Sequence, residues 1–173
     1  METIWDPLRK KDVALTPEER VRQWFIRYLH ENRGVPMHQM MSEVRLECPG
    51  GKTYRADIVV YGRGGVPAAI VECKRPEVAL TGDVLAQALR YGALLGVGCL
   101  ILTGGRSTLV CLRGKSSWER SALVPTYAEL SAGASDECPP ADGGTPRPAA
   151  NADADAEDGI GRKADRQKLR IND

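Results

Sequence analysis

The short segment Cys99–Thr103 (CLILT) constrains the fold more than any other part of the chain, because it is an uninterrupted apolar run. A strand with one face in water alternates apolar and polar residues, whereas a continuous apolar strand is buried on both faces. Such a strand needs a sheet that is covered from both sides. The preceding residues 83–95 carry apolar residues at helical spacing and predict one of the covering helices.

The rest of the first 131 residues shows further helix and strand patterns. Two runs, 52–61 and 66–73, flank the glycine-rich segment 62–65 and predict a β-hairpin. The sequence therefore predicts an α/β fold in which a single mixed β-sheet is flanked by helices. The predicted order is α-β-β-β-α-β-β, with a helix that opens at Thr16 and ends within 32–34, a helix at 83–95, strands at 40–48, 52–61, 66–73, 99–103 and 107–112, and a final helical turn at 127–130.

The first predicted helix has clear signals at its start. Thr16 suits the N-cap position, and Glu19 completes a capping box with it. Glu18 lies three and seven residues before Val21 and Phe25, so we expect it at the centre of the apolar face. An acid is unusual there, which makes Glu18 a candidate functional residue.

The composition changes abruptly near residue 131. Residues 132–158 consist mainly of Ala, Asp, Gly and Pro, which bury too little apolar surface to offset the entropy of ordering. We therefore predict a folded domain at residues 1–131 and a disordered tail at residues 132–173. A solvated tail is the simpler interpretation of the basic segment 161–173, with a transient helix or a nucleic-acid tether as the alternatives.

Composition excludes several classes of protein. No apolar run approaches the ~18 residues that a membrane span requires, and the N-terminus lacks the pattern of a signal peptide. Five cysteines form no CxxC pair and there are only two histidines, so zinc sites and Ser-His-Asp catalysis lack their residues. An odd number of cysteines fits a reducing compartment, and we expect a cytoplasmic protein. The net charge is +1, with a mildly basic body that is compatible with nucleic acid.

Three charged residues interrupt the apolar character of the predicted hairpin. If Tyr61 pairs with Val66 across the loop, Asp57 lies one diagonal step from Glu72, about 7–8 Å away. Because side chains alternate along a strand, Asp57, Glu72 and Lys74 then point to the same side of the sheet. Buried carboxylates are costly unless they are paired or bind a metal, so this pattern favours a functional site.

The constellation Asp57…Glu72-x-Lys74 resembles the motif of the PD-(D/E)xK nuclease superfamily, and Gln87 and Tyr91 resemble its QxxxY signature. Three longer stretches resemble the N-terminal nuclease domain of type I restriction enzyme R subunits: WDPLRKKDVALTPEERVRQWFIRYL, RADIVVY and IVECKRPEV. The similarity covers roughly residues 5–130 and implies a restriction-endonuclease-like fold. One departure is Ala56, where the motif often has proline.

The resemblance implies a metal-dependent DNA endonuclease. Asp57 and Glu72 would hold Mg²⁺, or Mn²⁺ in its place, together with water and a main-chain carbonyl of the strand. Lys74 would position or deprotonate the attacking water and stabilise charge on the phosphate. A glutamate of the first helix often joins the metal site in this family. We assign that role to Glu18, because Glu19 is explained by the capping box.

Several further roles follow from the same resemblance. Gln87 and Tyr91 would line the cleft and orient Lys74 or the phosphate, although core packing explains Tyr91 almost as well. An exposed strand acid is the simpler interpretation of Glu43, with a place in the cleft as the alternative. Basic residues near the motif are candidates for contacts to DNA phosphates: Arg75, Arg90, Arg55 and Lys52.

The expected partner is DNA, with helicase or methyltransferase subunits and a second copy of the chain as further candidates. No Walker motif is present, so no nucleotide-driven motor is expected in this chain. The alternative function is a nucleic-acid- or protein-binding module that keeps the fold but has lost catalysis.

Overall fold

A computed structural model describes residues 1–48 and 50–133, apart from the side chains of Cys48 and Lys52. The predicted tail lies outside the described residues except for positions 132 and 133, which end the last helix. None of the helices in these ranges is long and apolar enough to cross a membrane. The strands are β1 (Thr3–Asp6), β2 (Lys11–Ala14), β3 (Met40–Cys48), β4 (Lys52–Tyr61), β5 (Pro67–Cys73), β6 (Cys99–Thr103), β7 (Thr108–Arg113) and β8 (Trp118–Ser121), and the helices are α1 (Pro17–Arg33), α2 (Gly82–Leu94) and α3 (Tyr127–Gly133).

Six strands form one mixed sheet in the order β3-β4-β5-β6-β7-β8. Strands β5 and β6 are parallel, and the other neighbours are antiparallel. Every residue of β6 is buried, as its apolar sequence predicts. The structure thus confirms an α/β fold with a single mixed sheet.

The sheet is covered from both sides by separate hydrophobic clusters. On one side α1 contributes Val21, Phe25, Ile26 and Leu29 to a cluster that includes residues of β4, β5 and β6. On the other side α2 contributes Ala88 to a second cluster. The central strands β5 and β6 are therefore packed between α1 and α2, and this packing fixes the positions of the residues at their ends.

Helix α1 begins at the predicted N-cap. Thr16 Oγ1 accepts a hydrogen bond of 3.0 Å from the main-chain N–H of Glu19. The helix ends at Gly34, whose φ of 70° suits glycine and whose N–H donates to Leu29 O. The predicted capping box does not form, because the Thr16 N–H donates to Ala14 O instead of the Glu19 carboxylate.

Three short strands were not predicted from the sequence. Strands β1 and β2 pair only with each other and are mostly exposed, so they carry little apolar alternation. Their turn is held by Asp6, whose Oδ1 accepts from the main-chain N–H groups of Leu8 and Arg9. Strand β8 lies at the edge of the main sheet, where a strand needs few apolar residues.

The register of the β4–β5 hairpin differs from the predicted one. Tyr61 pairs with Pro67 instead of Val66, and a bulge between Val60 and Tyr61 shifts the following pairs by one more residue. The ladder ends at Ile58–Val71, so its continuation would place Asp57 opposite Glu72 rather than diagonal to it. A shift of two residues would by itself keep the predicted alternation of sides. Ala56 and Ile58, however, belong to the clusters on opposite sides of the sheet, so the regular alternation is interrupted at Asp57.

Candidate active site at the end of β4 and β5

Asp57 lies where β4 and β5 stop pairing. Its Oδ2 accepts a hydrogen bond of 2.7 Å from the Cys73 N–H, the next N–H of β5 that faces β4 beyond the ladder. Its Oδ1 accepts a hydrogen bond of 2.6 Å from Nη2 of Arg22 on α1. Both oxygens are therefore fixed, one by the sheet and one by the helix.

Glu72 is the second carboxylate, and its side chain is only 13% exposed. Its Oε1 accepts a hydrogen bond from the hydroxyl of Tyr54, and its Oε2 lies 3.3 Å from Nζ of Lys74. Burial raises the pKa of Glu72, and the nearby negative charge of Asp57 raises it further, while Tyr54 and Lys74 act in the opposite direction. The two carboxylates are thus close enough to repel each other.

Lys74 completes the predicted triplet. Its main-chain N–H donates to Thr103 O of β6 at 2.8 Å, which holds the end of β5 against its parallel neighbour. Its side chain is 31% exposed, so Nζ contacts Glu72 and still has access to solvent. An ammonium group with one fixed partner and an open side can hold a water molecule or a phosphate oxygen.

Tyr54 was not predicted as a site residue. Its ring stacks on Tyr91 of α2, with 4.2 Å between ring centroids and an angle of 17° between planes. Burial and the charge of Glu72 raise the pKa of Tyr54 far above its usual value, so the phenol remains a hydrogen-bond donor. Tyr54 and Glu72 are 18 positions apart, so no local pattern links them. The only sequence feature that pointed to Tyr54 was an aromatic residue on the same strand as Asp57.

The two residues of the predicted helix pair, Gln87 and Tyr91, have different surroundings in the structure. Tyr91 is half-buried and reaches the site through Tyr54. Gln87 is exposed on α2 and makes no side-chain hydrogen bond to any described residue. The structure therefore brings Tyr91 to the centre but leaves Gln87 at its rim.

Arg22 of α1 is the other residue that sequence reasoning missed. Its side chain is 5% exposed, and its guanidinium lies between Asp57, at 2.6 Å, and Glu43 of β3, at 2.7 Å. It also lies 2.5 Å from Glu19. Burial alone would lower the pKa of Arg22, but the three carboxylates, Asp57 foremost, raise it above its usual value.

The two glutamates at the start of α1 exchange their predicted positions. Glu18 is 44% exposed, with Oε1 at 3.7 Å from Arg22 Nη2, so it does not lie in the core face. Glu19 is buried and accepts hydrogen bonds from Arg9, Arg22 and Gln23. The buried face of α1 includes Arg22 and Ile26, three and seven residues after Glu19, so Glu19 lies on this face, where Arg9 contacts its carboxylate at 2.7 Å.

The four basic residues that were predicted to contact DNA lie on β4, on α2 and on the segment after β5. Arg55 is 72% exposed and lies 3.0 Å from Glu43 Oε2. Arg75 and Arg90 are exposed, on the segment after β5 and on α2. Lys52 belongs to β4, but its side chain lies outside the described residues.

The donor chemistry of the centre fits a hard divalent cation. Among the described residues, no three acidic, histidine or cysteine side chains converge to hold a metal ion unaided. The carboxylates of Asp57 and Glu72 provide oxygen ligands, and Mg²⁺ commonly keeps several waters beside one or two carboxylates. A cation between them would relieve the repulsion that contributes to the raised pKa of Glu72.

Comparison with one solved structure supports the fold. A fragment of a protein assigned as an HsdR subunit of a type I restriction enzyme from Vibrio vulnificus YJ016 has 22% identity and a TM-score of 0.52, over 70% of this chain and 25% of that one. The present chain thus spans about a quarter of the length of that structure. A protein from Anabaena variabilis ATCC 29413, assigned as a nuclease of DUF820, has 15% identity and a TM-score of 0.44, over 76% of this chain and 90% of that one.

The family is shown by sequence. No curated protein matches the chain. The family model for the type I restriction enzyme R protein N terminus (HSDR_N) matches residues 17–124, which include α1, both central strands and the whole candidate site. The match covers more than half of the chain and confirms the resemblance expected from the motifs. The chain therefore belongs to the family of type I restriction enzyme R protein N-termini.

Proposed function

We propose that the chain is a metal-dependent DNA endonuclease in which Asp57, Glu72 and Lys74 form the catalytic centre. The observation that carries the proposal is the contact of 3.3 Å between Lys74 Nζ and Glu72 Oε2, beside Asp57 at the end of the β4–β5 ladder. Membership of a family of restriction-enzyme R proteins supports a DNA substrate. The arrangement places two carboxylates and one ammonium group at the end of the sheet, and such a set can hold a metal ion and contact a phosphate.

Asp57 and Glu72 would hold Mg²⁺, or Mn²⁺ in its place. Glu18 on α1, whose Oε1 lies 3.7 Å from the Arg22 nitrogen that also contacts Asp57, would join them through water. When bound, the metal supplies a Lewis acid that lowers the pKa of a water molecule and offsets charge on the phosphate. Lys74 orients the attacking water and stabilises the charge that develops on the phosphate oxygens. Glu72 keeps Lys74 Nζ in place for this task.

Tyr91 and Gln87 take different parts in this proposal. Tyr91 packs against Tyr54, and Tyr54 donates to Glu72, so the helix sets the position of a metal-binding carboxylate. Gln87, exposed one turn before Tyr91, is available to a phosphate of the substrate. The exposed guanidinium groups of Arg55, Arg75 and Arg90 would bind the DNA backbone, together with Lys52.

The wider setting is also a proposal. Helicase or methyltransferase subunits are the candidate partners, because the family comprises R proteins of type I restriction enzymes. A second copy of the chain is another candidate partner. Cys73, Cys99 and Cys111 are buried free thiols, which supports a cytoplasmic location.

One observation favours the second candidate, a binding module without catalysis. Each carboxylate oxygen of the centre already has a protein partner: Arg22 and the Cys73 N–H for Asp57, and Tyr54 and Lys74 for Glu72. A site satisfied in this way is stable without a metal ion. Under this alternative the chain binds DNA through its arginines and cleaves nothing.

The test is a cleavage assay with the full chain on supercoiled, linear and single-stranded DNA, with Mg²⁺ or Mn²⁺. We expect metal-dependent cleavage by the wild type and none by Asp57→Asn, Glu72→Gln or Lys74→Met. Glu47→Gln is the matched control, because Glu47 is an exposed acid on neighbouring β3. DNA binding without cleavage under every condition would establish the binding module instead.

A further inference from the structure

The guanidinium of Arg22 is the meeting point of acids from three elements. Its Nη2 lies 2.6 Å from Asp57 Oδ1 of β4 and 2.7 Å from Glu43 Oε1 of β3. Glu18 Oε1 of α1 lies 3.7 Å from the same nitrogen. Its Nη1 lies 2.5 Å from Glu19 Oε2. A single nitrogen atom thus has three carboxylates around it.

The backbone around these acids departs from regular pairing. Glu43 has a φ of 56°, in the left-handed region that a glutamate rarely adopts. The ladder between β3 and β4 is continuous except at Glu43 and Asp57, which are not paired with each other. The two acids that leave the ladder are the two that lie nearest Arg22 Nη2.

Arg22 is placed for these acids and not for DNA. It is 4% exposed, so it cannot reach a substrate on the surface. Its Nε is buried and has no hydrogen-bond partner among the described residues, although a buried N–H normally has one. The Nε–H of Arg22 is therefore left without a hydrogen bond, while Nη1 and Nη2 contact the carboxylates.

Asp57 Oδ1 and Glu43 Oε1 both lie within 2.7 Å of the same nitrogen, whereas Glu18 Oε1, at 3.7 Å, is farther than a metal ligand. Two carboxylate oxygens completed by water are a donor set that a hard divalent ion also takes, with ligands at about 2.1 Å for Mg²⁺. We infer that Arg22 occupies the position of a second cation beside Asp57, and so limits the centre to one divalent ion, held by Asp57 and Glu72. Arg22 is then a positioning residue that acts through Asp57. The inference rests on the proposed function for the first ion.

The test is the number of Mn²⁺ ions bound by the full chain, measured by titration calorimetry. We expect one ion for the wild type and two for Arg22→Met, because this variant removes the charge but keeps much of the volume. Arg22→Lys retains a positive charge and should bind one ion. Arg55→Met is the matched control, since Arg55 contacts the same Glu43 from an exposed position and its replacement should leave one ion.

Each outcome bears on the inference. It is overturned if Arg22→Met binds the same number of ions as the wild type, or if Arg22→Lys gains an ion. If Arg22→Met is unfolded in metal-free buffer, circular dichroism with millimolar Mn²⁺ decides: refolding supports the inference, and a chain that stays unfolded overturns it. A wild type without any ion and an Arg22→Met variant with one would refute the metal-enzyme proposal but keep the role of Arg22.

Discussion

The two carboxylates of the centre should contribute very differently to the stability of the metal-free protein. Asp57 accepts from buried Arg22 and from the Cys73 N–H, whereas Glu72 is a buried charge repelled by Asp57. Asp57→Asn replaces one acceptor oxygen by a donor that faces an N–H group. The loss of a hydrogen bond to a charged group and the unsatisfied donor together cost about 2–4 kcal/mol.

Glu72→Gln weakens the interaction with Lys74 or Tyr54 but also removes the buried charge. These effects oppose each other, so we expect a free energy of unfolding within about 1 kcal/mol of the wild type. The measurement is urea unfolding in EDTA near neutral pH, followed by circular dichroism. With a slope of about 2 kcal/mol per molar urea, Asp57→Asn should lower the midpoint by about 1–2 M. An unchanged midpoint for Asp57→Asn, or an equal loss for Glu72→Gln, would refute the reasoning.

The pH dependence of Glu72→Gln provides a second readout of the same prediction. Burial and then Asp57 raise the pKa of Glu72 above its ordinary value of 4.5, so the folded state binds this proton more tightly than the unfolded state. Ionisation of Glu72 therefore costs stability, and the cost appears as the pH rises above 4.5 through the folded-state pKa. The stability of Glu72→Gln relative to the wild type should rise over this window, and a flat difference would contradict the assigned cause.

Three further predictions concern the surroundings of the site. Tyr54→Phe keeps the stacking on Tyr91 but removes a donor to Glu72, so the pKa of Glu72 should rise and the acidic limb of the cleavage–pH profile should move to higher pH. Truncation after Gly133 should leave the midpoint of thermal unfolding within about 2 °C, because the removed residues are predicted to bury no core. Replacing Arg55, Arg75 and Arg90 by Gln should weaken DNA binding and lower the slope of log affinity against log salt by about one for each phosphate that is no longer neutralised, which a binding titration at several salt concentrations would show.

Local patterns in the sequence were sufficient for the regular elements. The bounds of β3, β4 and β6 agree with their predicted ranges, because these strands carry uninterrupted apolar or alternating patterns. The start of α1 follows from Thr16, whose side chain has one local partner. Strands β1, β2 and β8 were missed because they are short and mostly exposed and so carry only weak apolar patterns.

Long-range contacts account for what sequence reasoning missed in the site. Arg22 and Asp57 are 35 positions apart, and Tyr54 and Glu72 are 18 apart, so no local period joins them. The predicted hairpin register was wrong for two reasons: the loop pairs Tyr61 with Pro67 instead of Val66, and the bulge next to Tyr61 has no signature in an alternating strand. Glu18 was expected in the core because only its spacing from Val21 and Phe25 was considered, whereas the buried face of α1 also includes Arg22 and Ile26 and so takes in Glu19.

The most direct test of the proposed mechanism is the cleavage rate of Lys74→Met at saturating Mn²⁺, with metal binding measured on the same sample. Lys74 acts on the water and the phosphate, while Asp57 and Glu72 hold the metal. The proposal therefore predicts wild-type metal stoichiometry and a loss in rate of about 10²–10⁴-fold. A variant that binds Mn²⁺ and cleaves DNA at the wild-type rate would contradict the assignment of Lys74 and the catalytic centre built on it.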